Sequence, residues 1–152
     1  MKNTFLLLIL LVLPANHTQA QQTEEAAVKA TIDRMFEGMK KGDSTLVRSV
    51  FHPTARLQTA FVNREGKAML KSETIDGFVK AVGTPHKEVW DERVLGYDIK
   101  IDDNLATVWT PYEFYVNGNY LHEGVNAFQL FRSANGWKII QICDTRRKKV
   151  KK

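Results

Sequence analysis

Three turns decide most of what the second half of this chain can become. Asp102-Asp103-Asn104, Asn117-Gly118-Asn119 and Ala134-Asn135-Gly136 each separate two runs rich in β-branched and aromatic residues. Asn-Gly between alternating apolar runs is a strong hairpin signal, because both residues tolerate the left-handed backbone of a tight two-residue turn. Trp90 to Ile101, Ala106 to Val116, Tyr120 to Arg132 and Trp137 to Asp144 therefore read as four strands of an antiparallel meander.

The residues before the meander carry a different period. Residues 23–41 read as an amphipathic helix, with Thr23 as cap, acidic residues early and Lys40-Lys41 late, each placed to suit the helix dipole. Ala27, Val28, Ile32, Met35, Phe36 and Met39 form its apolar stripe. Gly42-Asp43 stops it, and a shorter helix runs from Ser44 through Phe51 to Pro53, which forces His52 out of helical geometry. Strand-like residues follow at Ala55 to Val62 and Ala68 to Lys71. A third helix capped by Thr74 then carries Ile75, Phe78, Val79 and Val82 to Gly83. Helices segregated from an antiparallel sheet make an α+β domain, with three helices covering one sheet face.

The ends belong to neither part. Lys2, the apolar run Phe5 to Leu13, Pro14 and a short polar stretch closing on Ala20 have the order of a cleavable signal peptide. The run is shorter than the roughly 20 apolar residues a membrane-spanning helix needs. The expected organisation is a leader at 1–20, a domain at 21–145 and a basic tail at 146–152, with the mature protein periplasmic or secreted. The tail holds six of the chain's 22 Lys and Arg; setting those and Lys2 aside leaves 15 basic residues against 17 acidic ones. The basic character thus belongs to a solvated tail, and a nucleic-acid interface, which needs basic residues spread over a folded face, is not expected. Cys143 is the single cysteine, so no intramolecular disulfide is available and the core must hold the fold.

Several segments carry a family likeness. Phe51-His52-Pro53-Thr54-Ala55-Arg56-Leu57 resembles the helix-to-strand junction of the nuclear-transport-factor-2-like (SnoaL-like) superfamily. Val108 to Tyr115, His122 to Leu130, Gly136-Trp137-Lys138-Ile139-Ile140 and Asp144-Thr145-Arg146-Arg147 resemble a narrower branch labelled putative lumazine-binding proteins. The likeness spans about residues 23–147. It implies a cone: three N-terminal helices packed on a strongly curved antiparallel sheet around a cavity. It also implies pairing into homodimers through the outer sheet face. Members include isomerases, dehydratases, hydrolases, cyclases and non-catalytic binders, so function has to be argued from the site.

Strand alternation proposes that site. Tyr120, His122, Gly124, Asn126, Phe128 and Leu130 share one face of the long strand, and a His and an Asn among apolar residues on a covered face are informative. Asp144 and Arg146 share a face at the end of the last strand. His122 with Asp144 could perform general acid–base chemistry, or could simply knit two strands together. His52, at a helix-to-strand junction, is a weaker catalytic candidate, with interaction at the helix C-terminus as its structural alternative. Trp109 and Tyr112, with Phe114 and Tyr115, suit a planar or apolar ligand, or else core and dimer packing. Pro111 in mid-strand implies an edge or a bulge. Ligand contacts are expected from Trp109, Tyr112, Asn126 and Arg146. No metal-ligand spacing, phosphate loop or nucleophile elbow occurs, so neither a metal nor a cofactor is expected. Three readings stand: an exported protein binding a small apolar or aromatic molecule, a cofactor-independent isomerase, dehydratase or hydrolase, and a dimeric interaction module.

Overall fold

The computed structural model describes residues 15–148, with side chains from residue 20 onward. The apolar run Phe5 to Leu13 and the last four residues of the basic tail lie outside the described residues. Helix α1 spans Ala15–Lys41. Thr23 is therefore inside a helix already under way and does not cap it, and Ala20 sits in its early turns. Val28, Ile32, Met35, Phe36 and Met39 are buried as the stripe requires, whereas Ala27 is exposed. Helix α2 (Ser44–Val50) is capped by Asp43, whose carboxylate accepts the Leu46 N–H at 2.8 Å. Helix α3 (Ile75–Gly83) is capped by Thr74, which accepts the Gly77 N–H at 3.1 Å.

The strands are β1 (Phe51–Val62), β2 (Ala68–Thr74), β3 (Trp90–Val94), β4 (Asp98–Asp102), β5 (Leu105–Val116), β6 (Asn119–Ser133) and β7 (Gly136–Arg146). All seven join one sheet, in the order β2-β1-β7-β6-β5-β3, with β4 also paired to β5. This corrects the expected layout in three ways. Only α1 and α2 precede the strands, and α3 lies mid-chain between β2 and β3. The early hairpin β1–β2 is part of the sheet, and β1 runs parallel to β7, so the sheet is mixed. The segment from Trp90 is two strands, β3 and β4, which pair with successive parts of β5.

The three turns fall where their residues require. Asp103 (φ 50°), Asn117 (φ 51°), Gly118 (φ 77°) and Gly136 (φ 88°) all occupy the left-handed region. Pro111 lies on neither a bulge nor a free edge. Its carbonyl accepts the Leu95 N–H at 2.8 Å, so its missing donor faces the gap where the chain passes from β3 to β4. The bulges lie elsewhere: β1 shifts register between Phe51 and Arg56, around Pro53. On β6, Leu121 is the extra residue, since Phe114 faces His122 and Tyr115 faces Tyr120. On β7, Ile140 is the extra residue, since Gln129 faces Gln141 and Leu130 faces Ile139.

α1 lies across the concave face of the sheet. Phe36 meets Phe128 edge-on at 6.2 Å, and Phe51 meets Phe78 likewise at 6.2 Å. Glu24, in the first half of α1, ties the helix to the far end of the meander. It accepts the Trp137 Nε1–H at 3.0 Å and pairs with Arg132 at 2.9 Å.

Candidate functional site

Between α1, α3 and the concave face lies a cavity of about 640 Å³. Met35, Phe36, Phe78, Trp90 and Phe114 supply apolar wall. Beside the polar residues of the β1 and β2 wall, polar groups converge from Glu92 on β3, Tyr112 on β5, His122 and Asn126 on β6, and Asp144 and Arg146 on β7. The Ile140 bulge makes this possible. Without the extra residue, Asp144 would point to the opposite face from Ile139; with it, Ile139, Ile142 and Asp144 are all buried inward. Asp144 then stands directly opposite Asn126.

Asp144 is 8% exposed and its oxygens are fully engaged. Oδ1 accepts the Thr59 hydroxyl at 2.6 Å, and Oδ2 accepts the Arg146 Nε–H at 2.7 Å. The Tyr112 hydroxyl lies 3.2 Å from Asp144 Oδ2 and 2.9 Å from the Thr145 carbonyl, and it donates into that pair. Burial, then the charges of Asp144 and Glu92, hold the Tyr112 phenol far above its ordinary range, so it stays a donor.

Glu92 is the second carboxylate of the cavity, and its Oε1 accepts the Asn126 Nδ2–H at 2.7 Å. Removal from water is the main reason its carboxyl is pushed up to about 7; Asn126 opposes the shift, Asp144 adds to it, and Arg146 opposes it. A group poised there can hold or release a proton at neutral pH. The residue escapes attention in the sequence, yet it leaves a trace: Trp90, Glu92 and Val94 share one face of a short strand, a lone charge between apolar neighbours.

Of the residues singled out from sequence, Tyr112, His122, Asn126, Asp144 and Arg146 meet in the cavity. The expected His122–Asp144 pair does not form. No hydrogen bond joins the two among the described residues, because Asp144 is taken by Thr59, Arg146 and Tyr112. His122 instead stacks on Phe114 at 4.9 Å and meets Tyr112 edge-on at 5.8 Å. Burial, then the charge of Arg146, lowers its pKa, with Asp144 partly offsetting, so the imidazole is neutral at pH 7.

Trp109 is not in the cavity. It lies three positions before Tyr112 on a stretch of β5 with continuous register, so the two face opposite ways, and Trp109 is 54% exposed on the convex side. His52 is also outside: it lies in β1, its Nδ1 is 2.9 Å from Thr54 Oγ1, and its ring meets Phe131 edge-on. It belongs to neither the cavity rim nor the end of α2. Tyr120 is displaced as well, because the Leu121 bulge reverses the alternation and turns Leu121 into the cavity wall. Among the described residues, no group of three or more His, Cys, Asp or Glu is placed to hold a metal ion, and no helix is long and apolar enough to cross a membrane.

The sequence pattern of the family described as "Putative lumazine-binding" matches residues 23–142, most of the chain. The chain belongs to that family. Its strands β1 to β6 and most of β7 fall within the match, while Asp144 and Arg146 lie just beyond it. A search of curated proteins finds no match to this family member. Solved structures share its nuclear-transport-factor-2-like fold at low identity. One is a protein of unknown function from Mycobacterium tuberculosis, 12% identical, with TM-score 0.71 over 90% of this chain and 79% of that one. A second, from Novosphingobium aromaticivorans, is described as nuclear-transport-factor-2-like with a cystatin-like fold; it is 10% identical, with TM-score 0.65 over 90% and 91%. A third, from Streptomyces avermitilis, is described as a putative dehydratase and is 12% identical, with TM-score 0.64 over 85% and 99%. At such identities the likeness concerns the fold.

Proposed function

We propose that this is an exported small-molecule-binding protein whose cavity takes a small, mostly apolar or aromatic ligand. The observation that carries the reading is the cavity itself. A space of about 640 Å³ with aromatic walls and a few convergent polar groups has the make-up of a ligand site. Ala81 on α3 lines it, and a larger side chain there would project into the space. Ala81→Phe should abolish binding of a neutral apolar probe such as 1-naphthalenemethanol, followed by fluorescence titration, with the far-UV circular dichroism unchanged. Equal binding by both proteins would place the probe elsewhere and sink the reading. Export rests on the leader-like order of residues 1–20. N-terminal sequencing of the protein from the producing cell's envelope or medium should begin at Gln21, and an intact Met1 would refute it.

One observation favours an acid–base reading beside this one, namely the Glu92 carboxyl held by Asn126 and raised to about 7. A cofactor-independent isomerase, dehydratase or hydrolase would use Glu92 to move the proton, rather than the His122–Asp144 pair. Such an enzyme would show a pH–rate limb near 7 that Glu92→Gln removes, and a limb that persists would exclude Glu92 from the role.

Pairing through the convex sheet face is supported by the exposed Leu105, Trp109 and Phe131. Sedimentation velocity should show a dimer that Trp109→Asp converts to monomer; a wild-type monomer at micromolar concentration would contradict it.

A further inference from the structure

Arg146 is held by one of its five donors and is free at the others. Nε–H bonds Asp144 Oδ2 at 2.7 Å, and among the described residues no other hydrogen bond or ion pair engages its guanidinium. A two-pronged Arg–carboxylate pair would use both carboxylate oxygens, but Thr59 already occupies Oδ1 at 2.6 Å. Asp144 therefore orients the fork without consuming it, and the terminal nitrogens stay available in a side chain that lines the cavity and is 55% exposed.

We propose that the ligand carries a carboxylate received by the terminal nitrogens of Arg146, with a flat apolar body lying among Phe36, Phe78, Trp90 and Phe114. The assignment rests on the ligand-binding reading above and names the chemistry of its polar end. A planar fork fixed at one corner matches a carboxylate in geometry as well as charge. The apolar wall of the cavity suits an aromatic ring of the ligand.

The groups facing Arg146 across the cavity decide how binding responds to pH. They are Glu92 from β3, Tyr112 from β5, His122 from β6, Asp144 on its own strand, and Lys71 and Glu73 on the β2 wall. Tyr112 is a phenol and His122 a neutral imidazole at pH 7, so neither repels an anion. Of the carboxylates, Asp144 is already paired with Arg146, Glu73 belongs to the β2 wall, and Glu92 is the one poised near 7. An incoming carboxylate raises it further, so a proton enters with the ligand and affinity declines as pH rises above 7.

The test is isothermal titration calorimetry of the full chain with 2-naphthoate and its neutral counterpart 2-naphthamide. The carboxylate should bind roughly 10- to 100-fold more tightly, as a charged hydrogen-bond pair implies. Arg146→Gln should erase that preference, and Arg146→Lys, which keeps charge but loses the fork, should restore only part of it. Paired titrations at pH 7 in buffers of different ionisation heat should show proton uptake with naphthoate, lost in Glu92→Gln. If naphthamide binds as tightly as naphthoate, or if Arg146→Gln keeps the preference, the carboxylate assignment is overturned while the cavity reading stands. If neither probe binds, both are overturned.

Discussion

Gly124→Ala is expected to destabilise the protein by about 3 kcal/mol or more, the range of severe core overpacking. The reason is space and not backbone freedom, since Gly124 has no left-handed φ. A Cβ at this position would lie 1.8 Å from the Thr145 carbonyl oxygen and 2.9 Å from Tyr112 Cε1. Neither neighbour is free to retreat. The Thr145 carbonyl accepts the Tyr112 hydroxyl, and the Thr145 hydroxyl accepts the Val125 N–H at 3.1 Å. One residue further along, Glu123 and Arg147 exchange two backbone hydrogen bonds of 3.0 Å. A methyl group must therefore part β6 from β7 or expel the Tyr112 ring, and either change dismantles the floor of the cavity. Urea unfolding is the measurement: a midpoint equal to wild type would show that the strands are not held this closely.

Glu92→Gln is expected to act in the opposite direction, and only at higher pH. The folded carboxyl titrates at about 7, against about 4.3 for an unperturbed Glu. Between those values the folded protein keeps a proton that the unfolded chain has released. Stability is therefore greatest on the acid side and falls as pH rises through 7. The cost of ionising Glu92 in place reaches up to about 3 kcal/mol above pH 7, an upper figure because the carboxyl borders an open cavity. Gln keeps the oxygen that accepts from Asn126 and cannot ionise. The variant should gain most of that amount at pH 8.5 and almost nothing at pH 4.5. Urea curves at pH 4.5, 7 and 8.5 decide the matter, and a pH-independent difference between the two proteins would refute the assignment.

How far the sequence reaches is clear from particular residues. Helical stripes placed Val28, Ile32, Met35 and Phe36 in the core, and the Asn-Gly chemistry placed the turns at Asn117 and Gly136, because both signals are local. The face of β6 was also legible from Gly124 through Leu130, because that stretch of the strand carries no bulge and alternates strictly. What escaped depends on pairing between distant strands. Thr59 reaches Asp144 across 85 positions because β1 docks parallel to β7, and no local pattern announces that. The bulges at Ile140 and Leu121 reverse alternation, which brings Asp144 inward beside Ile139 and exchanges Tyr120 for Leu121 at the cavity wall. The likeness to the family conveyed a cavity but not its second carboxylate. Glu92 emerged only when β3 was seen to lie beside β5, where it meets Asn126 across the intervening strand.

The central claim is that the cavity holds a small molecule in life. Native mass spectrometry of the protein purified under gentle conditions from its own cells tests it most directly, with Ala81→Phe prepared in parallel. An adduct on the order of a few hundred daltons is expected on the wild type, released by organic solvent and absent from the variant. Bare masses for both proteins, with no adduct formed on adding an apolar aromatic probe to either, would contradict it.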